Sequence, residues 1–184
     1  WFDWLTGFTV LCGIAVVVGY ALLGACWLVW RTEGELQRRA RRHARALGVA
    51  TLALIVVVSL WTPMLNPVFS HRWFGWPGIL LTSPVPILML LLAWSFWAGL
   101  SRHSDVQPFL SVMGWFVLCF AGLGISMWPM MVPPSISIWD AAAPPASQAF
   151  LLVGTLVLLP LILAYTAYAY WIFRGKVKPG AHYP

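Results

Sequence analysis

Five apolar runs, separated by short basic, polar or proline-rich stretches, set the pattern of this chain. They cover about residues 8–30, 46–61, 84–100, 109–128 and 148–173. Each approaches the roughly 20 residues that carry a helix across the hydrocarbon core of a bilayer. In lipid an open strand would leave N–H and C=O groups unpaired, so every run is read as a helix. The expected fold class is an all-α integral membrane protein with about five transmembrane helices, forming a single membrane domain over residues 1–184. The second and third runs are the shortest, and their ends are the least defined. Residues 63–83 hold Pro63, Pro67 and Pro77 among several aromatics and read as an interfacial loop or a shallow re-entrant segment. Pro160, inside the last run, predicts a kink or a released carbonyl.

Composition agrees with a lipid solvent. Hydrophobic residues make up 61% and charged residues only 9% of the 184 positions. Soluble domains carry about 25% charge, and mean hydropathy here is +0.82. Thirteen tryptophans suit a chain whose indoles settle at the water–lipid boundary. Cys12, Cys26 and Cys119 each stand alone in an apolar run, without a CxxC pair. They read as small buried thiols, with no disulfide framework.

The net charge of +6 is unevenly placed, which argues for topology over nucleic-acid binding. Arg31, Arg38, Arg39, Arg41, Arg42 and Arg45 lie between the first two runs, Arg102 between the third and fourth, and Arg174, Lys176 and Lys178 after the fifth. The intervening loops hold Arg72 and, in the last, Asp140 without a base. Basic loops stay in the cytoplasm, so Trp1 and Asp3 are expected outside and the C-terminus inside. The segment 32–38 reads as a cytoplasmic helical extension of alternating charge, with a nucleic-acid or phosphoinositide patch as the sharper alternative. The chain opens at Trp1 with no basic n-region, so WFDWLTGF is not a signal peptide and reads as the entry to a helix that follows missing upstream sequence.

The runs offer little chemistry of their own. A charge deep in a membrane marks a proton path or an ion site, and the central part of each run has none. His43, His71, His103 and His182 fall in loops or the tail, whereas a haem buried in the bilayer takes an axial His or Met from a helix. Met113, Met127, Met130 and Met131 remain candidate ligands, though methionine in an apolar run is ordinarily packing. The serines lack a His and acid partner, and the cysteines lack an activating neighbour. No complete active site, catalytic residue or metal site is expected. Packing is well supplied: Ala21 with Ala25, Ser95 with Gly99 and Gly122 with Ser126 form small-xxx-small pairs that let helices approach closely. Such pairs are candidate subunit contacts.

Residues 129–147 form the most distinctive loop. Its prolines are expected to suppress regular structure. Trp139 and Asp140 put an aromatic anchor and an acid side by side at the outer surface, making them candidate contacts as well as a belt residue and a turn or cap acid. Ser147 is a candidate cap for the last helix, with Gln148 at its first position.

At the level of whole segments the chain resembles a known family. GLGISMWPMMVPPSISIWDAAAPPASQAFLLVGTLVLLPLILAYTAYAYWIFRGKV, residues 122–177, is similar to the C-terminal end of subunit II of the cytochrome bd quinol oxidases. GYALLGACWLVWRTEGELQRRARR, residues 19–42, resembles that family's mid-chain helix and cytoplasmic loop, and Arg102, Asp105 and Pro108-Phe109 fit too. The resemblance implies a nine-span subunit whose partner, subunit I, carries the b- and d-type haems and the quinol-oxidising loop. The complex would oxidise quinol and reduce dioxygen to water, with this subunit free of haem, shaping the assembly and in some members holding a structural quinone. The family's first four spans, with the acids linked to proton entry, have no counterpart here, so no proton-path residue carries over. A small membrane transporter or channel component, or a fragment of the oxidase subunit that never assembles, are the alternatives. A transporter would need a polar pore lining, which these runs lack.

Overall fold

The computed structural model describes residues 2, 5–65, 70, 73–76, 78–132 and 135–176. Trp1, Asp3, Pro67, His71, Arg72, Pro77, Lys178 and His182 lie outside the described residues. Five helices among the described residues are long and apolar enough to cross a membrane. The chain divides into two compact units, one of Trp1–Ser126 with Lys176–Pro184, the other Met127–Gly175.

In the first unit, α1 runs Gly7–Arg31 and α2 runs Gly34–Leu65. Thr6 and Thr9 cap α1 reciprocally, satisfying amides at the end of a helix that has no earlier turn to accept them. Thr32 closes the other end, its amide donating to the Leu28 carbonyl at 3.0 Å and its hydroxyl at 2.6 Å. Only two residues separate α1 from α2, and the reversal uses Gly34 at φ +70°, a left-handed conformation that costs glycine little. The arginine-rich segment is thus helical, because the charged turns continue α2 toward its N-terminus. α3 (Gly78–Thr82) and α4 (Pro84–Ser101) follow, with Pro84 at the first turn of α4, where its missing N–H costs nothing. α5 spans Gln107–Met127.

The 63–83 stretch is not a loop throughout. α2 carries on through Pro63 to Leu65, because one proline removes one N–H and the remaining bonds, sheltered from water in lipid, still hold the helix.

The core of this unit joins Leu22, Ala25 and Cys26 of α1, Ala44 of α2, Phe96 and Leu100 of α4, and Val112 and Trp115 of α5. Ring pairs Phe96–Trp115 at 5.1 Å and Phe96–Trp97 at 5.2 Å lie at its centre. Lipid tails are as apolar as leucine, so helices associate here through close van der Waals fit. Small residues make that fit. A Cβ built on Gly48 would lie 2.6 Å from the Phe96 ring, so α2 meets α4 at a point only glycine allows. Of the cysteines, Cys26 is buried and Cys12 half-buried, while Cys119 is exposed. The thiol expectation thus fails at Cys119, which sits on a face of α5 left free by the core.

In the second unit, β1 (Met130–Val132) pairs antiparallel with β2 (Ile136–Ser137), and α6 (Ile138–Ala141) follows at once. The expected absence of regular structure is corrected: the prolines among the described residues flank this hairpin and turn instead of interrupting them. α7 spans Pro145–Ile172. Its N-cap is Pro144, not Ser147, and the Ser147 and Gln148 amides both donate to the Pro144 carbonyl. Proline serves at the first helical position because its φ is preset and its N–H would be unpaired anyway. α7 passes through Pro160 as one helix; proline has no N–H to offer the carbonyl four residues earlier, that of Leu156.

Candidate functional site

The densest polar construction in the first unit gathers around Asp105. The loop after α4 begins at Arg102, and His103 takes φ 58°. The Ser104 amide then reaches back to the Gly99 carbonyl at 2.9 Å, a six-to-one closure that satisfies an end carbonyl of the helix. The same turn aims the carbonyls of His103 and Ser104 at α2. There the Arg41 guanidinium donates to His103 O at 3.0 Å, to Ser104 O at 3.2 Å and to Asp105 Oδ1 at 2.6 Å. The Gln37 amide nitrogen, one turn earlier, bridges Val29 O and Asp105 Oδ1, both at 2.9 Å. Lys176 closes the other carboxylate oxygen. The Arg41 side chain is 10% exposed and that of Asp105 30%. Desolvated ions need partners, and here one carboxylate serves two cations and an amide. The three basic segments of the sequence therefore meet through a single acid.

Around this node Gln37, Arg38, Arg41, Arg42, Arg45, His103 and Asp105 line a depression of about 560 Å³. Arg38 and Arg39 share Glu35, at 2.6 and 3.3 Å, all three side chains well exposed. Close by, Arg31 stacks over Trp27 and Trp30 at 5.2 and 5.9 Å, and both rings pack on Phe109. Chemically the arrangement can hold helix ends together and attract anions. It offers no nucleophile paired with a base.

The small-residue candidates are mostly engaged inside the chain. Ala25 is buried in the core while Ala21 is exposed. Gln107 Nε2 donates to Ser95 O at 3.0 Å and Ser95 Oγ at 3.1 Å, the Ser111 hydroxyl donates to Ser95 Oγ at 3.1 Å, and Gly99 lies against Gln107 and Pro108. Gly122 faces the Trp73 ring, and Ser126 Oγ accepts from Trp73 Nε1 at 2.8 Å while donating to Gly122 O at 2.8 Å. In the second unit Trp139 and Asp140 are exposed. Trp139 packs edge-on to Trp128 at 5.7 Å. Asp140 caps α6 reciprocally with Ser137, and those bonds, the Ser137 hydroxyl first, hold its carboxyl below the usual range.

Sequence reasoning passed over Ala40, Ala44 and Gly48, all buried on α2. Their four-residue spacing is the same signal used elsewhere, but it starts among arginines, ahead of the apolar run. Gln37 and Ser111 gave no signal, since a lone amide or hydroxyl acquires a role only from what it faces.

Among the described residues no group of three or more His, Cys, Asp or Glu side chains is placed to hold a metal ion. His43 and His103 are both exposed and lie outside the apolar runs.

Fold and site together define a largely helical, multi-pass protein of the bacterial inner membrane. The sequence profile described as cytochrome bd terminal oxidase subunit II matches residues 1–173, and the chain belongs to that family. It is 26% identical to the cytochrome bd-I ubiquinol oxidase subunit 2 of Escherichia coli strain K12, over 96% of this chain and 54% of the relative. It is 23% identical to the cytochrome bd ubiquinol oxidase subunit 2 of Bacillus subtilis, over 96% and 52%, and 24% identical to a probable cytochrome oxidase subunit 2 of Haemophilus influenzae, over 96% and 54%. The chain spans about half the length of these curated relatives.

Proposed function

We propose that this chain serves as the haem-free membrane part of a cytochrome bd-type terminal oxidase, packed against a haem-bearing subunit that oxidises quinol and reduces dioxygen to water. The family match over nearly the whole chain carries this reading. Supporting it, the apolar runs hold no His and no central charge, so they suit a low-dielectric wall and would leave electron and proton handling to the partner. The gathering of basic segments at Asp105 favours a cytoplasmic C-terminus and an external start to α1, as the positive-inside rule requires. Ala25, Ser95, Gly99, Gly122 and Ser126 hold the chain's own helices, which leaves Ala21, Trp139 and Asp140 as the contacts we assign to the partner. The isoprenoid tail of a structural quinone would find apolar walls between such helices.

Purification of the tagged chain from its native membrane tests the proposal. The expected result is co-elution with a subunit showing b- and d-type haem absorbance, and no haem spectrum in this chain once the two are separated. A haem retained by the separated chain, or the lack of any haem-bearing companion, would overturn it.

A further inference from the structure

Arg38, Arg41, Arg42 and Arg45 repeat at three- and four-residue intervals, so they share one face of α2. Like charges at that spacing repel and destabilise a helix, yet only part of this face is neutralised. Glu35 answers Arg38 and Arg39, and Asp105 answers Arg41 and Lys176. Among the described residues Arg42 and Arg45 have no carboxylate within ion-pair distance, and both side chains are exposed. Six cations thus face two carboxylates. Four of them, Arg38, Arg41, Arg42 and Arg45, line with Asp105 a concavity of about 560 Å³, within the roughly 300–1,000 Å³ of small-molecule clefts.

Depth along α2 identifies the anion. Residues 38–45 cover two helical turns, about 10 Å, and directly precede the apolar run that starts at 46. That places the guanidinium groups in the polar layer bordering the hydrocarbon. Trp27, Trp30 and Arg31 lie beside the same end of the helix pair, where indoles settle at headgroup level. The buried Arg41, fixed by two carbonyls and Asp105, supplies a rigid floor, and Arg42 and Arg45 supply free forked donors suited to phosphate oxygens.

We propose that this depression binds the phosphodiester of an anionic phospholipid, with Arg42 and Arg45 as its principal ligands. The site does not depend on the oxidase reading, since lipid retention is measured separately from haem. Each basic side chain near an anionic surface contributes about fivefold to binding, so loss of two should weaken it about 30-fold.

The test is a native mass spectrometry titration of the detergent-solubilised protein, with whatever subunits accompany it, using phosphatidylglycerol against phosphatidylcholine. Wild type should retain phosphatidylglycerol preferentially, and R42Q/R45Q should lose about 30-fold in affinity for it without changing helix content. R42K/R45K should keep part of the preference, and it replaces the double glutamine variant if that one proves unstable. Arg39→Gln, which removes one charge from the same helix but outside the depression, should have a much smaller effect than Arg42→Gln. An equal effect would mean diffuse attraction and would overturn the site. Inorganic phosphate and glycerol 3-phosphate form the second arm: displacement of the lipid by either one at comparable concentration would assign the site to a soluble phosphate and overturn the lipid assignment. Failure of wild type to prefer phosphatidylglycerol would do the same.

Discussion

Gly48 shows how one missing methyl can set a helix crossing. Its α-carbon lies against a Phe96 ring that is fully buried and held by Trp97 and Trp115. A Cβ there would sit 2.6 and 2.9 Å from two ring atoms, and the ring has nowhere to turn. Gly48→Ala should therefore cost about 1–3 kcal/mol by overpacking, read as a lowered unfolding midpoint of the solubilised chain. Gly114 offers the contrast. Its nearest neighbour is the tip of Leu92 at 2.5 Å, a flexible end that can swing aside, so Gly114→Ala should lie within about 1 kcal/mol of wild type. An equal loss at the two positions would refute this account of Gly48. Spacing alone marks both as small residues in apolar helices; only the rigidity of the facing side chain separates them.

At the scale of elements, α6 has four residues and buries none of them, so its persistence depends on its caps. The Asp140 amide donates to the Ser137 hydroxyl at 3.2 Å, while the Asp140 carboxylate accepts from the Ser137 amide at 3.2 Å and from its hydroxyl. Those donors favour the charged carboxylate and lower its folded-state pKa. The cap is therefore at full strength above the ordinary carboxylate range and is lost as pH falls through the depressed value. Amide exchange, corrected for its intrinsic pH dependence, should show protection of Ser137 and Asp140 that drops on acidification. Asp140→Asn should flatten that response. Protection unchanged between neutral and acidic pH would show that the cap does not order the turn. Sequence did suggest a turn or cap acid at Asp140, and the structure supplies its partner, Ser137, three residues earlier. Sequence also misplaced the start of α7 at Ser147, since a proline at the first position competes with a serine cap and wins on preset geometry.

Across the chain, the Asp105 node links residues some 60 to 70 positions apart in sequence. Exposed pairs contribute about 0–1 kcal/mol, whereas removing one partner of a buried pair costs about 3–5 kcal/mol. With Arg41 nearly enclosed and Asp105 partly so, Asp105→Asn should cost about 2 kcal/mol. Glu35→Gln, whose pairs are exposed, should change stability by less than about 0.5 kcal/mol. Denaturant titration of the full chain in detergent compares them, and equal losses would mean that Asp105 is no more than a surface acid.

The sequence by itself determined the solvent, the helical class and the number of long apolar helices, because each apolar run must satisfy its own backbone once water is gone. Family membership was legible too, through long stretches whose order of residues survives as sequence. Tertiary structure alone decided that Ala40, Ala44 and Gly48 form a packing seam, and that Arg41, Asp105 and Lys176 converge. Those outcomes depend on which face of one helix meets another, and neither a spacing of small residues nor a cluster of arginines says which neighbour that face will meet. Polar partners found across distant loops are likewise invisible until packing brings them within the few ångströms over which a hydrogen bond acts.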